Sequence, residues 1–388
     1  MAGSGALSLV LQIVLFPLSA FRSPGNVQAQ EPDDRTQAAR NYHRHSAERL
    51  RGQTLAAQKD SAESGHQISS GQRPFITCSP SQIRVAVVQV KRLSCWLDSG
   101  CARFSGVNTL FIRPGTLNEA LEALAQTGGT ILAGGTDLFP ACSGRQLSGP
   151  VIDISRVTEL KGVRFTEEFV EIGARTTWSE VLAAGLPRGF DGLCAAAREV
   201  GSIQIQNSAT VAGNICNASP AADGVAALMA LDAEVTLESH AGARAISLAD
   251  FVQGNRKTAR QANEMMTSVR VPRRWENAVS SFLKLGARRY LVISIVMVAV
   301  NLAADSRGRV REAAVCVGSC SPKAMRLTEL ERALVGVPLG PQLRAIPTSS
   351  HFSRLAPIDD VRATAGYRLE AAQTLALRAL DECASKVA

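Results

Sequence analysis

The feature that most constrains the fold is an abrupt change of sequence character near residue 107. Before it, Gln, Ser, Arg and Ala predominate with little periodicity, apart from a short apolar patch at 83–90. From Asn108 onward, apolar residues recur at helix and strand periods and glycines punctuate them. A packed core needs such periodicity, so we expect the folded protein to begin there. Residues 1–106 are expected to be a disordered extension, or translated sequence upstream of the true start.

The extension also contains an apolar run from Leu7 to Ala20. No Lys or Arg precedes this run, whereas a secretory signal opens with a basic region. The run is too short for a confident membrane span, and no twin-arginine signal stands near the start. We therefore expect a cytoplasmic protein that is not bound to a membrane, with export through the run at 7–20 as the alternative.

Composition disfavours several classes of function. Residues 1–107 hold 12 of the 42 Lys and Arg but only 7 of the 34 Asp and Glu, so most of the net charge of +8 lies in the extension. No basic stripe interleaved with aromatics is present, and nucleic acid is not expected as a partner. The nine cysteines form no C-x-x-C pair, which indicates free thiols and no metal site. Only His240 and His351 lie beyond residue 107, and we predict no catalytic dyad or triad.

Two capping boxes predict helix starts in the first half of the folded region. Thr116 with Glu119 opens a helix that ends at Gly128–Gly129, and Thr177 with Glu180 opens a second, shorter one. Strands and helices mix without strict alternation, which indicates α+β subdomains. The pattern G-x-G-x-x-G does not occur, so a Rossmann dinucleotide site is disfavoured.

The last third of the chain predicts a second α+β unit. The stretch VMVAVNLAADSRGRVREAAVCVG reads as two apolar strands joined by an Asp/Ser/Gly turn, which is typical of a β-hairpin. The stretch EAAQTLALRALDECAS has the period of a terminal amphipathic helix.

The stretch TILAGGTDL, Thr130 to Leu138, runs a predicted strand directly into two glycines. Consecutive glycines indicate either a plain turn with a positive φ or the close approach of another molecule to the main chain. The residue types alone leave both interpretations open.

A second small-residue stretch, Thr210 to Asn214, is followed by Ser219–Pro220. Serine as N-cap and proline at the first position predict a helix that starts there and runs to about Leu231. Two glycine turns and a helix N-terminus would together form an anion site suited to a pyrophosphate. Asp223, in the first turn of that helix, is either an acceptor for a hydroxyl group or a surface acid that complements the helix dipole.

The stretches LAGGTDL and TVAGNICNASPAAD resemble the two flavin-binding loops of the FAD-binding (medium) subunit of molybdenum hydroxylases, the family of the xanthine dehydrogenase and carbon monoxide dehydrogenase flavoproteins. FVQGNRKT, FLKLGARRYLVISIVMVAVNL, CSPKAMRL and PIDDVRATAGYR follow in the family's usual order. The resemblance covers roughly Asn108 to the last residues. It implies an α+β architecture with a two-subdomain PCMH-type FAD-binding domain at 107–275 and a smaller α+β C-terminal domain at 276–388.

The resemblance also implies which residues hold FAD. The first loop would wrap the pyrophosphate with main-chain N–H groups, and the second would add a hydroxyl, an amide and further N–H donors. Asp223 would bind the adenosine ribose region or an adjacent polar group, while Met266 and Lys284 occupy positions that contact the flavin in similar proteins. The implied cofactor-binding residues are Leu132, Ala133, Gly134, Gly135, Thr136, Asp137, Leu138, Phe139, Thr210, Val211, Ala212, Gly213, Asn214, Asp223, Met266 and Lys284.

Several of these positions have alternative interpretations. Lys284 would stabilise an anionic reduced flavin, or it is a surface lysine at a strand end. Tyr290, beside Arg288–Arg289, is a flavin or acceptor neighbour, or it serves packing. Two residues depart from the family pattern: Ala212 replaces a usual glycine, and Gln206 replaces a common arginine. Alanine resists a positive φ, so the second loop could sit differently here.

The family's division of labour places molybdopterin and the 2Fe-2S clusters on partner subunits. Substrate hydroxylation would occur at molybdenum on one partner, and electrons would pass through iron–sulfur clusters on another to this FAD, then to NAD+, oxygen or a quinone. The expected assembly is a dimer of heterotrimers with an iron–sulfur subunit and a molybdopterin-binding subunit. The alternatives are a free-standing FAD-dependent oxidoreductase and a partner-binding subunit that has lost flavin.

Overall fold

The computed structural model describes residues 87–88, 110–142 and 147–386. The predictions for the extension at 1–106 therefore lie outside the described residues, except that Val87–Val88 form a short strand. No helix in the described ranges is both long and apolar enough to cross a membrane.

The first subdomain is a small parallel sheet with a helix. Its elements are β1 (Val87–Val88), β2 (Phe111–Ile112), α1 (Leu117–Thr127), β3 (Thr130–Leu132), α2 (Leu138–Ala141) and β4 (Val151–Asp153). The strands are parallel in the order β1-β2-β4-β3, so a β-α-β crossover exists here, although no alternating wind was predicted. As predicted, Thr116 caps α1 with its hydroxyl and Gly128 ends it in the left-handed region. The predicted capping box is incomplete, because the Glu119 carboxylate accepts from the N–H of Gly115 and not from that of Thr116. The apolar face of α1 packs on Ile112 and Ile152.

The second subdomain is an antiparallel sheet with a group of short helices. Its elements are β5 (Val163–Phe165), β6 (Phe169–Gly173), α3 (Trp178–Ala183), α4 (Asp191–Glu199), α5 (Ile203–Gln206), α6 (Val211–Asn217), α7 (Asp223–Ala230), β7 (Glu234–Ser239), β8 (Gly242–Ser247), α8 (Leu248–Phe251), β9 (Val252–Gly254), β10 (Lys257–Thr258) and β11 (Met265–Pro272). The sheet order is β5-β6-β11-β7-β8, and β9 and β10 form a separate hairpin. The predicted capping box of Thr177 and Glu180 is present at the start of α3.

The predicted second loop is the first turn of helix α6. Thr210 is the N-cap, and its hydroxyl accepts from the N–H of Gly213 at 3.0 Å. Ala212 lies within this helix and does not have a positive φ. The conflict between alanine and a left-handed backbone therefore does not arise.

The helix predicted to start at Ser219–Pro220 begins later, at Asp223. Ser219 accepts from the N–H groups of Ala221 and Ala222 and so closes a turn. The carbonyl of Pro220 accepts from the N–H of Ser319 in the C-terminal domain, at 3.0 Å, and is not used in a helix. The Ser219–Pro220 pair, which predicted a helix start, therefore forms a turn between α6 and α7.

The C-terminal domain is an antiparallel sheet covered by a long helix. Its elements are β12 (Val279–Leu285), β13 (Val296–Ala304), β14 (Val310–Gly318), β15 (Met325–Arg326), α9 (Thr328–Leu334) and α10 (Ala365–Ser385). Short 3-10 helices complete the chain at Ile154–Arg156, Thr158–Leu160, Arg188–Phe190, Arg273–Trp275, Pro341–Ala345 and Ser349–Phe352. The predicted hairpin of β13 and β14 and the terminal helix are confirmed, as is the α+β class.

Strand β13 is buried on both faces because side chains alternate across a sheet. Val298 and Val300 belong to the core beneath α10, whereas Met297 and Ala299 belong to the core of the second subdomain. Helix α7, whose eight residues are all buried, packs against this second face. The two domains therefore share one continuous core at α7.

Candidate functional site

A cleft of about 710 Å³ opens between the first two subdomains. The end of β3 and the segment 133–138 form one wall, and α6, the β9–β10 hairpin and the start of β11 form the other. Segments far apart in sequence thus converge on one space large enough for a drug-sized ligand or cofactor.

The cleft brings together twelve of the sixteen predicted cofactor-binding residues. Its lining includes Leu132, Ala133, Gly134, Gly135, Thr136, Asp137, Leu138, Thr210, Ala212, Gly213, Asn214 and Met266. The other four lie elsewhere. Phe139 is half exposed and Val211 is fully buried in the core, while Asp223 and Lys284 pair with each other outside the cleft.

The two glycines of the first loop have reasons within the protein itself. A Cβ on Gly134 would lie 1.9 Å from the carbonyl oxygen of Ser208, so this residue lets the loop touch the segment before α6. Gly135 has φ +70, and a Cβ there would lie 2.5 Å from the Phe139 ring. The positive φ is thus confirmed at Gly135, whereas the close approach at Gly134 is that of the protein's own backbone; approach of another molecule stays a prediction.

The loop presents main-chain donors without a partner. Among the described residues, no acceptor is found for the N–H groups of Gly134, Gly135 and Thr136. The carbonyl of Gly135, in contrast, has a partner: it accepts from the N–H of Phe139 at 3.1 Å. Consecutive free N–H groups form a concavity that favours an anion.

Helix α6 contributes a buried polar atom that lacks a partner. Asn214 lines the cleft, and its Oδ1 is buried without a hydrogen bond in the described part of the chain, next to Gly224 of α7, where a Cβ would lie 3.1 Å from it. A buried acceptor of this kind costs about 1–3 kcal/mol unless a ligand or water satisfies it. Thr210 also lines the cleft, and its hydroxyl, which accepts from Gly213, keeps its own proton available for donation.

Several cleft residues were not predicted from the sequence, and the most polar of them are Asn217, Arg256 and Arg260. The side-chain nitrogen of Asn217 donates to Oδ1 of Asp137 at 2.9 Å, and its Oδ1 accepts from the guanidinium of Arg256. This chain of contacts ties the first loop to the β9–β10 hairpin. The arginines stand in the FVQGNRKTAR stretch, where an Asn-Arg pair at a turn between two short strands was the available signal.

Arg260 is held by the backbone of a braced turn. Its Nη1 donates to the carbonyls of Gln261 and Glu264 at 3.1 and 2.7 Å. The buried carboxylate of Glu264 accepts both ends of the Arg244 guanidinium, at 2.6 and 2.9 Å, and the N–H of Gln261. The hydrogen bonds from Arg244 are the main cause that lowers the pKa of Glu264 below its usual value.

Asp223 and Lys284 form a buried ion pair beside a second, smaller cavity. The Lys284 Nζ lies 2.7 Å from Oδ2 of Asp223, and the hydroxyl of Ser294 donates to Oδ1 at 2.6 Å. Both side chains are buried, so the alternative interpretation of Asp223 and Lys284 as charged surface residues is wrong. Burial raises the pKa of Asp223, and Lys284 and Ser294 oppose that rise.

The second cavity, of about 380 Å³, is lined by Lys284, Arg288 and Arg289, among others. Tyr290 follows directly and is 63% exposed, so it does not serve packing. Its ring lies 5.4 Å from the Arg289 guanidinium. The other departure from the family pattern, Gln206, donates to the carbonyl of Arg198 at 3.0 Å and so supports the end of α4.

Two protein families match the chain. Residues 103–274 match the family described as the FAD binding domain in molybdopterin dehydrogenase. Residues 281–383 match the CO dehydrogenase flavoprotein C-terminal domain.

Individual proteins show the same likeness. The nicotinate dehydrogenase FAD-subunit of Eubacterium barkeri is 36% identical over 59% of this chain and 80% of its own length. The glyceraldehyde dehydrogenase medium chain of Sulfolobus acidocaldarius is 31% identical over 71% of this chain and 98% of its own. A solved structure of carbon monoxide dehydrogenase from Hydrogenophaga pseudoflava, which lacks the Mo-pyranopterin moiety, aligns with a TM-score of 0.66 and 26% identity, covering 72% of this chain and 98% of that one.

Proposed function

Because this chain belongs to the family of FAD-binding (medium) subunits of molybdenum hydroxylases, we propose that the cleft between its first two subdomains is the FAD site. The chain is an oxidoreductase subunit whose cofactor is FAD, in a family whose molybdopterin and iron–sulfur clusters lie on other subunits. Its proposed task is to carry electrons from iron–sulfur clusters on a partner to a final acceptor.

One observation supports the cleft most directly: main-chain donors with no partner among the described residues converge there with the guanidinium of Arg256. The free N–H groups of the first loop suit the pyrophosphate, and the hydroxyl of Thr210 can donate to the cofactor. Arg256 and Arg260 add positive charge to the same space. A dinucleotide would satisfy all of these groups at once.

The chain's own residues would act by placement and electrostatics. FAD supplies a group that exchanges electrons both singly and in pairs, which suits a link between one-electron clusters and a two-electron acceptor. Met266, buried at the start of β11, would contact the ring through its thioether. No acid–base residue is required of this chain.

The contact of Asp223 and Lys284 with the cofactor stays a proposal. Both residues lie outside the cleft, so the flavin would have to extend from the cleft towards the second cavity to reach them. Lys284 would then meet the flavin as half of an ion pair, and Asp223 would balance most of its charge. The stabilisation of a reduced flavin expected from a free lysine is therefore reduced. Phe139 and Val211 also lie outside the cleft lining, and their contact with the cofactor likewise stays a proposal.

We further propose partners and an acceptor. The assembly would be a dimer of heterotrimers with an iron–sulfur subunit and a molybdopterin-binding subunit, and the final acceptor NAD+, oxygen or a quinone. A cytoplasmic location is consistent with the free cysteines among the described residues.

The test is a visible absorption spectrum of protein isolated from its native host, with an SDS gel and metal analysis of the same sample. Bound flavin with two further polypeptides, iron and molybdenum is the expected result. Flavin on a solitary chain would favour a free-standing oxidoreductase. A colourless protein that keeps its partners would contradict the FAD assignment and identify a subunit that has lost flavin.

Reoxidation of the reduced complex then identifies the acceptor. NAD+, oxygen and a soluble quinone are supplied one at a time, and the return of flavin absorbance is followed. Only the true acceptor is expected to restore it at a rate that matches turnover.

A further inference from the structure

Arg256 is a cation at the cleft that forms no ion pair with a carboxylate of the described residues. It stands at the tip of the β9–β10 hairpin with φ +57, and its N–H donates to the carbonyl of Ala218 at 3.0 Å. Within the described residues, its guanidinium contacts only the neutral amide of Asn217. A guanidinium has five N–H donors, so most of them stay available here.

The surrounding contacts place this cation near the free main-chain donors. Asn217 accepts from Arg256 with its oxygen and donates to Asp137 with its nitrogen. Asp137 directly follows the segment Gly134–Thr136, whose N–H groups have no partner in the described chain. Two hydrogen bonds therefore link the guanidinium to the loop that favours an anion.

Arg260, the other cation of the cleft, is less available. Its Nη1 is shared between the carbonyls of Gln261 and Glu264, so it braces its own turn. The left-handed backbone of Arg256 is the conformation that a two-residue hairpin turn favours.

We propose that Arg256 binds a phosphate oxygen of the dinucleotide, and that Asn217 is the residue that positions it. This inference rests on the proposed function, because it assigns a residue to the phosphates of the proposed FAD site. Planar guanidinium groups are well matched to phosphate oxygens. Asn217 holds the group at the cleft with a neutral partner, which leaves its charge for the ligand.

The test uses the full chain, freed of flavin and titrated with FAD, ADP and riboflavin. Arg256→Gln should weaken FAD and ADP about ten-fold or more, the loss expected for a charge-assisted hydrogen bond, and leave riboflavin unchanged. Arg256→Lys keeps the charge and should recover part of the affinity. Asn217→Ala should weaken FAD less than Arg256→Gln does.

The matched control is Arg332→Gln, which removes the same charge from an exposed position on α9. It should bind all three ligands as the parent does. If Arg256→Gln binds FAD and ADP as tightly as the parent, the inference is wrong and the FAD site stands. Equal weakening of ADP and riboflavin would indicate a deformed cleft and would also overturn it. A parent chain that binds neither FAD nor ADP would overturn the proposed function and the inference together.

Discussion

Asn214, in the cleft, and Asp232, at the junction with the C-terminal domain, differ in how many hydrogen-bond partners their oxygens have. Asp232 accepts from Arg274, Arg326 and Trp275, so both of its oxygens are used. Asn214 has a buried oxygen with no partner among the described residues. Hydrogen bonds to Asp232 hold the two domains together, whereas the oxygen of Asn214 contributes no such contact among the described residues.

The same contrast extends to the arginines. Arg326 contacts Asp232, Glu331 and the carbonyl of Met229, which joins the end of α7 to the last strand of the C-terminal sheet. Arg256 contacts one neutral amide. The charge of Arg326 is therefore balanced by two carboxylates, whereas Arg256 forms no ion pair among the described residues.

The largest expected effect comes from breaking the hydrogen-bonded ion pairs of Arg326 at the domain junction. Arg326→Met leaves the carboxylates of Asp232 and Glu331 without their shared cation, and we expect a loss of about 3–5 kcal/mol in the free energy of unfolding. Urea denaturation followed by circular dichroism measures it. Arg332→Met, on the exposed face of α9, is the control and should change little. Equal stability of the two variants would show that the junction is not held by this network.

The next effect tests the backbone contact behind the first loop. Gly134→Ala places a Cβ against the Ser208 carbonyl, and neither side is a flexible side chain that could move away. We expect a loss of about 1–3 kcal/mol in stability and a clear loss of flavin content on purification. Gly366→Ala is the matched change, since nothing lies within 4 Å of a Cβ there. Unchanged flavin content in Gly134→Ala would mean that the loop tolerates displacement.

A third change separates binding from stability. Asn214→Leu removes the unpaired buried oxygen, so the flavin-free chain should be as stable as the parent or more stable by about 1 kcal/mol, while FAD binds more weakly. Asn301→Leu is the counterpart, because Asn301 is buried and its amide donates to the carbonyl of Gly189 at 3.1 Å.

Thermal melts with and without added FAD measure both quantities. The expected pattern is opposite for the two variants: Asn301→Leu lowers the melting temperature of the flavin-free chain, and Asn214→Leu lowers only the increment that FAD adds. A destabilised flavin-free Asn214→Leu would show that Asn214 is already satisfied, by water for example.

The smallest effect concerns pH. The pKa of Glu264 is lowered in the folded chain, chiefly by the hydrogen bonds from Arg244, so its contribution to stability is present above the ordinary Glu value of 4.5. That contribution is lost as the pH falls below this value through the lowered pKa. The urea midpoint of the parent should therefore fall more steeply on acidification than that of Glu264→Gln. Parallel pH profiles would contradict the assignment.

Much of the local structure could be predicted from the sequence because its causes are local. The capping hydroxyls of Thr116 and Thr177 and the turn of the β13–β14 hairpin act within a few residues. The start of α7 was predicted too early, at Ser219–Pro220, because the carbonyl of Pro220 is taken by Ser319, about a hundred residues further along the chain.

The site was less predictable because its contacts join residues that are far apart in the sequence. The first loop was located from its glycine pair, yet the need for Gly134 comes from Ser208, which is distant in sequence. Asn217 joins Asp137, 80 residues earlier, to Arg256, 39 residues later. No local pattern encodes such pairs. The family resemblance supplied the positions of the loops, and only the folded chain supplies the contacts between them.

The boundary near residue 275 separates two family segments in the sequence, but in the folded chain helix α7 packs across this boundary. Because α7 is buried on every side, and Met297 and Ala299 of β13 belong to the core of the second subdomain, neither half can be removed without exposing apolar surface of the other. The described part of the chain should therefore melt as one cooperative unit, and a shuffled gene that exchanges the C-terminal segment between relatives should yield a functional protein only when the residues facing α7 travel with it.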